Sequence, residues 1–264
     1  MAIFNQIHRM RRRPEGDKIS SIARFAYDGA RPESDAPKGG IEDLFWSNTG
    51  PVVHKWHHYL PIYQRYFERF VDTPVRILEI GVSKGGSLQL WRRFFGPQAV
   101  IFGIDINPDC AQFDGQAGQV RIGSQDDAGF LNSVVDEMGG LDIVLDDGSH
   151  VSRHIRASLE ALYPRLGDGG VYMIEDLHAA YWPSFGGGYG KSRSFMSDVK
   201  QIIDDMHHWY HLEGEKVRPT AGHVAGLHVY DSIVVLEKER VMAPKHSQIG
   251  DGAVMSAPSR GGEA

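Results

Sequence analysis

The chain has 264 residues, 41% hydrophobic and 23% charged, with a formal net charge of -6 at pH 7. That length supports one substantial core with appended segments rather than two full domains, and the acidic balance excludes an overall basic field for nucleic acid. A single cysteine, Cys110, excludes an internal disulfide framework and fits a reducing cytoplasm; no apolar run approaches the roughly 18 residues of a membrane span.

At the start, Ile3, Phe4, Ile7 and Met10 share a helical face beside Arg9, Arg11, Arg12 and Arg13. The pattern suits either docking on an anionic membrane or another subunit, or a short solvated arm. It lacks the long apolar segment of a secretory signal. Residues 14–50, rich in Pro, Gly, Asp and Ser, read as an irregular lead-in. From Trp56 the pattern changes: Trp56, Leu60, Tyr63, Phe67 and Phe70 recur at helical steps, with Pro61 starting or kinking the helix.

An α/β alternation follows. Strands are predicted at Val75–Ile80, Val100–Ile104, Gln119–Ile122, Leu141–Leu145 and Val171–Ile174. Between them lie a helix at Ser87–Phe95, one turning Phe130, Leu131, Val134, Val135 and Met138 inward, and one carrying Ile155, Leu159 and Leu162. Such units argue for a mostly parallel sheet covered by helices. Leu227–Tyr230 and Ser232–Leu236 read as closely connected antiparallel strands at its far edge. The expected organisation is an N-terminal arm and helical segment over 1–72, an α/β domain over 73–240, and a Pro/Gly/Ser/Ala tail over 241–264 that reads as disordered.

The predicted strand ends carry Glu79, Asp105, Asp146, Asp147, Glu175 and Asp176. In an open parallel sheet, ligands bind outside the carboxyl ends of the strands. Carboxylates gathered there repel unless cations or donors meet them. Any one of them alone reads as a solvated loop acid; the set is better explained by a cationic ligand together with a metal.

The first strand runs into Glu79-Ile80-Gly81-Val82-Ser83-Lys84-Gly85-Gly86-Ser87. Its glycines permit a tight turn and a close ligand approach, but the turn matches neither GxGxxG nor a Walker motif. Asp105, ending the next strand, is placed to accept hydrogen bonds from both ribose hydroxyls of a nucleoside. Together these residues resemble the class I S-adenosylmethionine methyltransferases. The resemblance implies a Rossmann-like, mostly parallel sheet with an antiparallel terminal strand, preceded by the N-terminal helical segment. It implies S-adenosylmethionine as cofactor, its methionine part near Glu79, Gly81 and Ser87, and its ribose on Asp105. Adenine then falls near Gln125 and Asp126. Asp146 reads either as a contact for the cofactor amine or as a plain strand-end acid.

Asp146-Asp147-Gly148-Ser149-His150 and Glu175-Asp176 follow neighbouring strands. Asp147, Glu175 and Asp176 would offer hard oxygen donors to Mg²⁺, with Mn²⁺ or Ca²⁺ fitting the same set. An alcohol attacking a sulfonium methyl must lose its proton; a metal lowers the pKa of a bound oxygen acid, and a neutral imidazole, His150, accepts the proton near pH 7. Other readings give His150 a helix-capping role, pair it with His154 on zinc, or assign the base to His178.

The Asp-x-x-His plus Glu-Asp constellation is similar to the metal-dependent sugar O-methyltransferases of macrolide biosynthesis, to mycobacterial saccharide O-methyltransferases and to cephalosporin-pathway methyltransferase-like proteins. It departs from catechol-type enzymes with a lysine base. The resemblance implies a sugar or saccharide-containing small-molecule substrate and a homo-oligomer. Tyr181 and Trp182, in a Gly-rich aromatic stretch, suit a sugar ring; Tyr59 and His178 are further binding candidates. A nicotinamide-dependent oxidoreductase, a metal-dependent hydrolase and a noncatalytic cofactor-binding protein are the competing classes. The first lacks its glycine fingerprint, and the second leaves the nucleoside features unexplained.

Overall fold

The computed structural model describes residues 29–31, 33, 38–212, 218 and 220–250. The basic N-terminal pattern and the last part of the expected tail lie outside the described residues; residues 241–250 form neither helix nor strand.

Seven strands form one sheet: β1 (Arg76–Ile80), β2 (Val100–Asp105), β3 (Gln119–Ile122), β4 (Ile143–Asp146), β5 (Val171–Ile174), β6 (Val224–Val229) and β7 (Val234–Lys238), in the order β3-β2-β1-β4-β5-β7-β6. β1 to β5 pair in parallel, while β7 inserts antiparallel between β5 and β6. The expected α/β sheet with its antiparallel addition is therefore present. Strand alternation divides the core. Ile77, Ile143 and Val171 face one side with α2 (Leu60–Phe67) and α3 (Gly86–Phe95); Leu78, Val144 and Tyr172 face the other with α4 (Ala128–Met138), α5 (Ser152–Leu162) and α6 (Phe195–Met206).

Register fixes the functional edge. Ile80 sits opposite both Ile104 and Asp146, and Asp146 sits opposite Ile174. The ladder runs one residue further, Asp147 N donating to Ile80 O at 3.0 Å and Glu175 N to Asp146 O at 2.9 Å. The acids after each strand thus emerge side by side.

Some elements differ from expectation. A short helix, α1 (Ile41–Trp46), lies inside the stretch read as irregular; six residues are too few for a periodic signal. Ile41 is fully buried and its amide donates to Gln64 Oε1 at 2.9 Å. The segment from Trp56 enters through a 3₁₀ turn, His57–Tyr59, and Pro61 sits in the first turn of α2, starting rather than kinking it. Helix α6 lies beyond the predicted elements; Ser194 caps it, accepting from the Met196 amide, and Phe195, Val199 and Ile202 are buried.

Behind the first turn, one polar group is enclosed by the core. Glu79 is 0% exposed and accepts hydrogen bonds from Ser87 Oγ at 2.8 Å and Trp91 Nε1 at 3.1 Å. Burial pushes its carboxyl up to about 7, against the pull of Lys55 and these donors. Trp91 is itself fully buried, edge-on to Tyr63 and Phe67 at 5.4 and 5.7 Å.

Two measurements check this core. Trp91→Ala should lower the free energy of unfolding by about 3–5 kcal/mol in chemical denaturation; a loss below about 1 kcal/mol would contradict the packing. For Glu79, a native pKa above the ordinary value means the native state binds the proton more tightly than the unfolded chain. Its contribution is thus fully present below about pH 4.5 and falls away as pH rises to about 7. The wild type should lose roughly 3 kcal/mol relative to Glu79→Gln across that interval, and parallel pH profiles would refute the burial effect.

Candidate active site

The turn after β1 brings two backbones together in a way only glycine permits. Gly81 has φ 98°, and a Cβ there would lie 2.2 Å from the Asp147 carbonyl oxygen. At Gly86 a Cβ would meet the Val52 carbonyl at 2.3 Å, so the segment before α2 lies directly on the start of α3. The turn borders a cavity of about 610 Å³ lined by, among others, Gly81, Ser87, Asp105, Gln125, Asp147 and His150, a size that suits a nucleoside-bearing ligand.

Asp105 stands at the cavity edge with Oδ2 accepting from Ser83 N at 2.9 Å and Oδ1 from Asn107 N at 2.8 Å. Gln125 donates to Asp146 Oδ1 at 3.1 Å and accepts from Ser149 N at 2.7 Å, tying the loop after β3 to the loop after β4. Asp146 lies beneath, 1% exposed and held by Ser158 Oγ at 2.6 Å; burial raises its carboxyl to about 6. Neither Asp146 nor Glu79 lines the cavity; each braces a residue that does. Asp126 also lies off the lining and faces His154 Nε2 at 3.3 Å, with Ser124 Oγ at 2.5 Å. His154 uses its other nitrogen on Ser149 Oγ at 2.8 Å; the group of converging donor atoms that includes His150 does not include His154.

Among the residues lining the cavity, donor atoms of Asp147, His150 and Asp176 lie within 4.8 Å of one another, a group suited to a metal ion among the described residues. The two carboxylates are hard donors that fit a small divalent cation with room for water or substrate oxygens, and the imidazole beside them is placed to accept a proton. His150 Nε2 is 3.7 Å from Asp176 Oδ2. Both residues are non-glycines at positive φ, 56° and 54°. Such backbone costs roughly 1–3 kcal/mol per residue and clusters at functional sites.

The segment that leads into α2 reaches these acids. Tyr59 Oη donates to Asp176 Oδ1 at 2.8 Å, with Trp56 Nε1 at 3.2 Å from the same oxygen. Burial, reinforced by the Asp176 charge, raises the Tyr59 phenol well above its ordinary pKa, so it remains a donor. Tyr59 is thus a tether for an acid, 1% exposed, rather than a residue on the cavity wall. Glu175, also 1% exposed, does not line the cavity: Tyr63 Oη donates to Oε1 at 2.5 Å and Lys55 Nζ to Oε2 at 2.9 Å. Lys55 also reaches Asp147 Oδ2 at 2.6 Å. Burial alone would depress this ammonium's pKa; Asp147 and Glu175 outweigh it and hold the group charged.

Lys55 and Tyr63 are the site residues that sequence reasoning left out. The available signal was a lone lysine in an aromatic and histidine-rich run facing an acidic edge that needed cations.

The remaining candidates form an aromatic flank. His178 Nδ1 pairs with Ser232 Oγ at 2.6 Å, and its ring meets Trp182 at 5.0 Å. Trp182 packs on Phe185 at 5.8 Å, and Phe185 lies 6.5 Å from the His150 ring. Tyr181 is 45% exposed, outside this contact chain. None of His178, Tyr181 or Trp182 lines the cavity itself.

Residues 78–177 match the family described as a methyltransferase domain. The chain is 40% identical over 197 residues to the 8-demethyl-8-(2-methoxy-alpha-L-rhamnosyl)-tetracenomycin-C 3'-O-methyltransferase of Streptomyces olivaceus, covering 70% of this chain and 50% of that protein. It is 38% identical over 197 residues to the mycinamicin VI 2''-O-methyltransferase of Micromonospora griseorubida, covering 70% and 49%. A solved structure of the MycE methyltransferase from the mycinamycin biosynthetic pathway, in complex with Mg, SAH and mycinamycin VI, superposes with a TM-score of 0.68 at 34% identity, covering 78% of this chain and 55% of that one. The chain spans about half the length of these relatives. No helix among the described residues is long and apolar enough to cross a membrane. Residues 78–177 belong to the methyltransferase domain family, carried on a class I sheet that is similar to those of sugar O-methyltransferases.

Proposed function

We propose that this protein transfers a methyl group from S-adenosylmethionine to a hydroxyl of a sugar or saccharide-containing small molecule, with His150 as general base beside a divalent-cation site. The observation that carries the reading is the convergence of Asp147, His150 and Asp176 on the wall of a cavity that Gly81, Asp105 and Gln125 also line. Relatives whose names give sugar-bearing acceptors, and a similar structure holding Mg and SAH, support the choice of reaction and cation.

In this reading the Gly81 turn receives the methionine part, with Ser87 held in place by Glu79. Asp105 accepts from ribose. Gln125 borders adenine, kept rigid by Asp146, with Asp126 outside it. Asp147 and Asp176 would hold Mg²⁺, or Mn²⁺ in its place, with Glu175 next to Asp176 in sequence and in the same acidic cluster. A cation so held supplies the positive charge that makes an acceptor hydroxyl more acidic. Tyr59 and Trp56 fix one oxygen of Asp176, which leaves the other facing His150. His150 Nε2 takes the hydroxyl proton as the acceptor oxygen bonds to the methyl carbon and the carbon–sulfur bond breaks. Trp182 and Phe185, leading from His178 to His150, offer apolar faces to a sugar ring.

The test is transfer of labelled methyl to a panel of rhamnosylated and deoxysugar-bearing acceptors. Product should form, vanish with a chelator and return with added Mg²⁺. His150→Ala should cut turnover by about 10²–10⁴-fold while leaving SAH affinity within about threefold. Undiminished turnover would remove His150 as base, and transfer indifferent to chelation would remove the cation.

A further inference from the structure

The acidic edge already contains a cation of the chain's own. Lys55 lies on the extended segment between α1 and α2 with its side chain only 3% exposed, although its partners lie 92 and 120 residues away in sequence. Nζ bridges Asp147 Oδ2 at 2.6 Å and Glu175 Oε2 at 2.9 Å, and sits 5.8 Å from the centre of the Tyr63 ring. With Tyr63 on its other oxygen, Glu175 has both oxygens engaged. Asp147 is shared: one oxygen meets the ammonium, yet the same carboxylate belongs to the group with His150 and Asp176.

We propose that Lys55 is a positioning residue that competes with the divalent cation for these carboxylates, on the reading above that such a cation binds here. Without metal, its ammonium holds Asp147 and Glu175 together against their mutual repulsion. With metal, it stands as a like charge a few ångströms away, so the site binds its cation weakly and exchangeably. A lysine serving packing alone would change stability and leave the response to metal untouched.

The experiment compares Mn²⁺ binding by calorimetry, and melting with and without Mn²⁺, for the full chain and for Lys55→Met and Lys55→Arg. Lys55→Met should melt lower without metal, bind Mn²⁺ at least about tenfold more tightly, and gain more thermal stability from it than the wild type. Lys55→Arg, which keeps the charge, should stay within about threefold of wild-type affinity. Equal or weaker Mn²⁺ binding by folded Lys55→Met overturns the proposal while leaving the cation site standing. A wild-type chain that binds no Mn²⁺ at millimolar concentration overturns the cation site itself, and this proposal with it. Should Lys55→Met fail to fold, the wild-type Lys55 ammonium decides: its ¹⁵N signal, assigned by its loss in Lys55→Arg, should shift on addition of Mg²⁺. A signal unmoved at saturating Mg²⁺ overturns the competition.

Discussion

Mutual repulsion of carboxylates at one sheet edge is the constraint around which the rest of this structure is arranged. Parallel pairing of β1, β4 and β5 sets Gly81, Asp147 and Glu175 abreast, and no local rearrangement can separate them without losing the ladder. Each acid therefore has its own remedy. Glu79 and Asp146 are taken into the core and given neutral donors, with their pKa values lifted by burial. Asp105 is met by backbone amides. Glu175 is met by Tyr63 and Lys55, and Asp176 by Tyr59 and Trp56. What is left facing the cavity is a small group of unequal acids beside an imidazole.

The N-terminal segment is consequently part of the site and not a decoration on the sheet. Its aromatic helix packs on α3, and the same residues that bury Tyr59 and Tyr63 aim their hydroxyls at Asp176 and Glu175. Packing on that face and the charge state of the acidic cluster are thus physically coupled. Disturbing Tyr63 removes both a core ring and a donor to a buried carboxylate, which is costlier than either loss alone.

Much of the framework is legible in the sequence because it is local. Val100–Ile104 and Val171–Ile174 are short apolar runs bounded by turns, and the structure keeps them within a residue. The glycine turn and the strand-end acids follow from the same rule, since register carries each acid to the same edge. Helix α6 and the short α1 lack such signals: one follows a glycine-rich stretch, the other is a bare six residues. The roles of Lys55 and Tyr59 were out of reach for another reason. Their partners lie more than ninety positions away, so no periodicity records the pairing. Glu175 shows the complementary limit. Its place in sequence marks it as a candidate ligand, while its hydrogen bonds to Lys55 and Tyr63 leave no trace in the pattern.

The central claim is that Asp147 and Asp176 share one divalent cation next to the nucleoside cavity, with His150 facing the same space. Anomalous diffraction from crystals of the full chain grown with Mn²⁺ and SAH tests it most directly. The account predicts an anomalous peak within coordination distance of both carboxylates, close to SAH sulfur and in view of His150. A Mn²⁺ peak elsewhere, with those side chains directed into separate solvent regions around bound SAH, would contradict it.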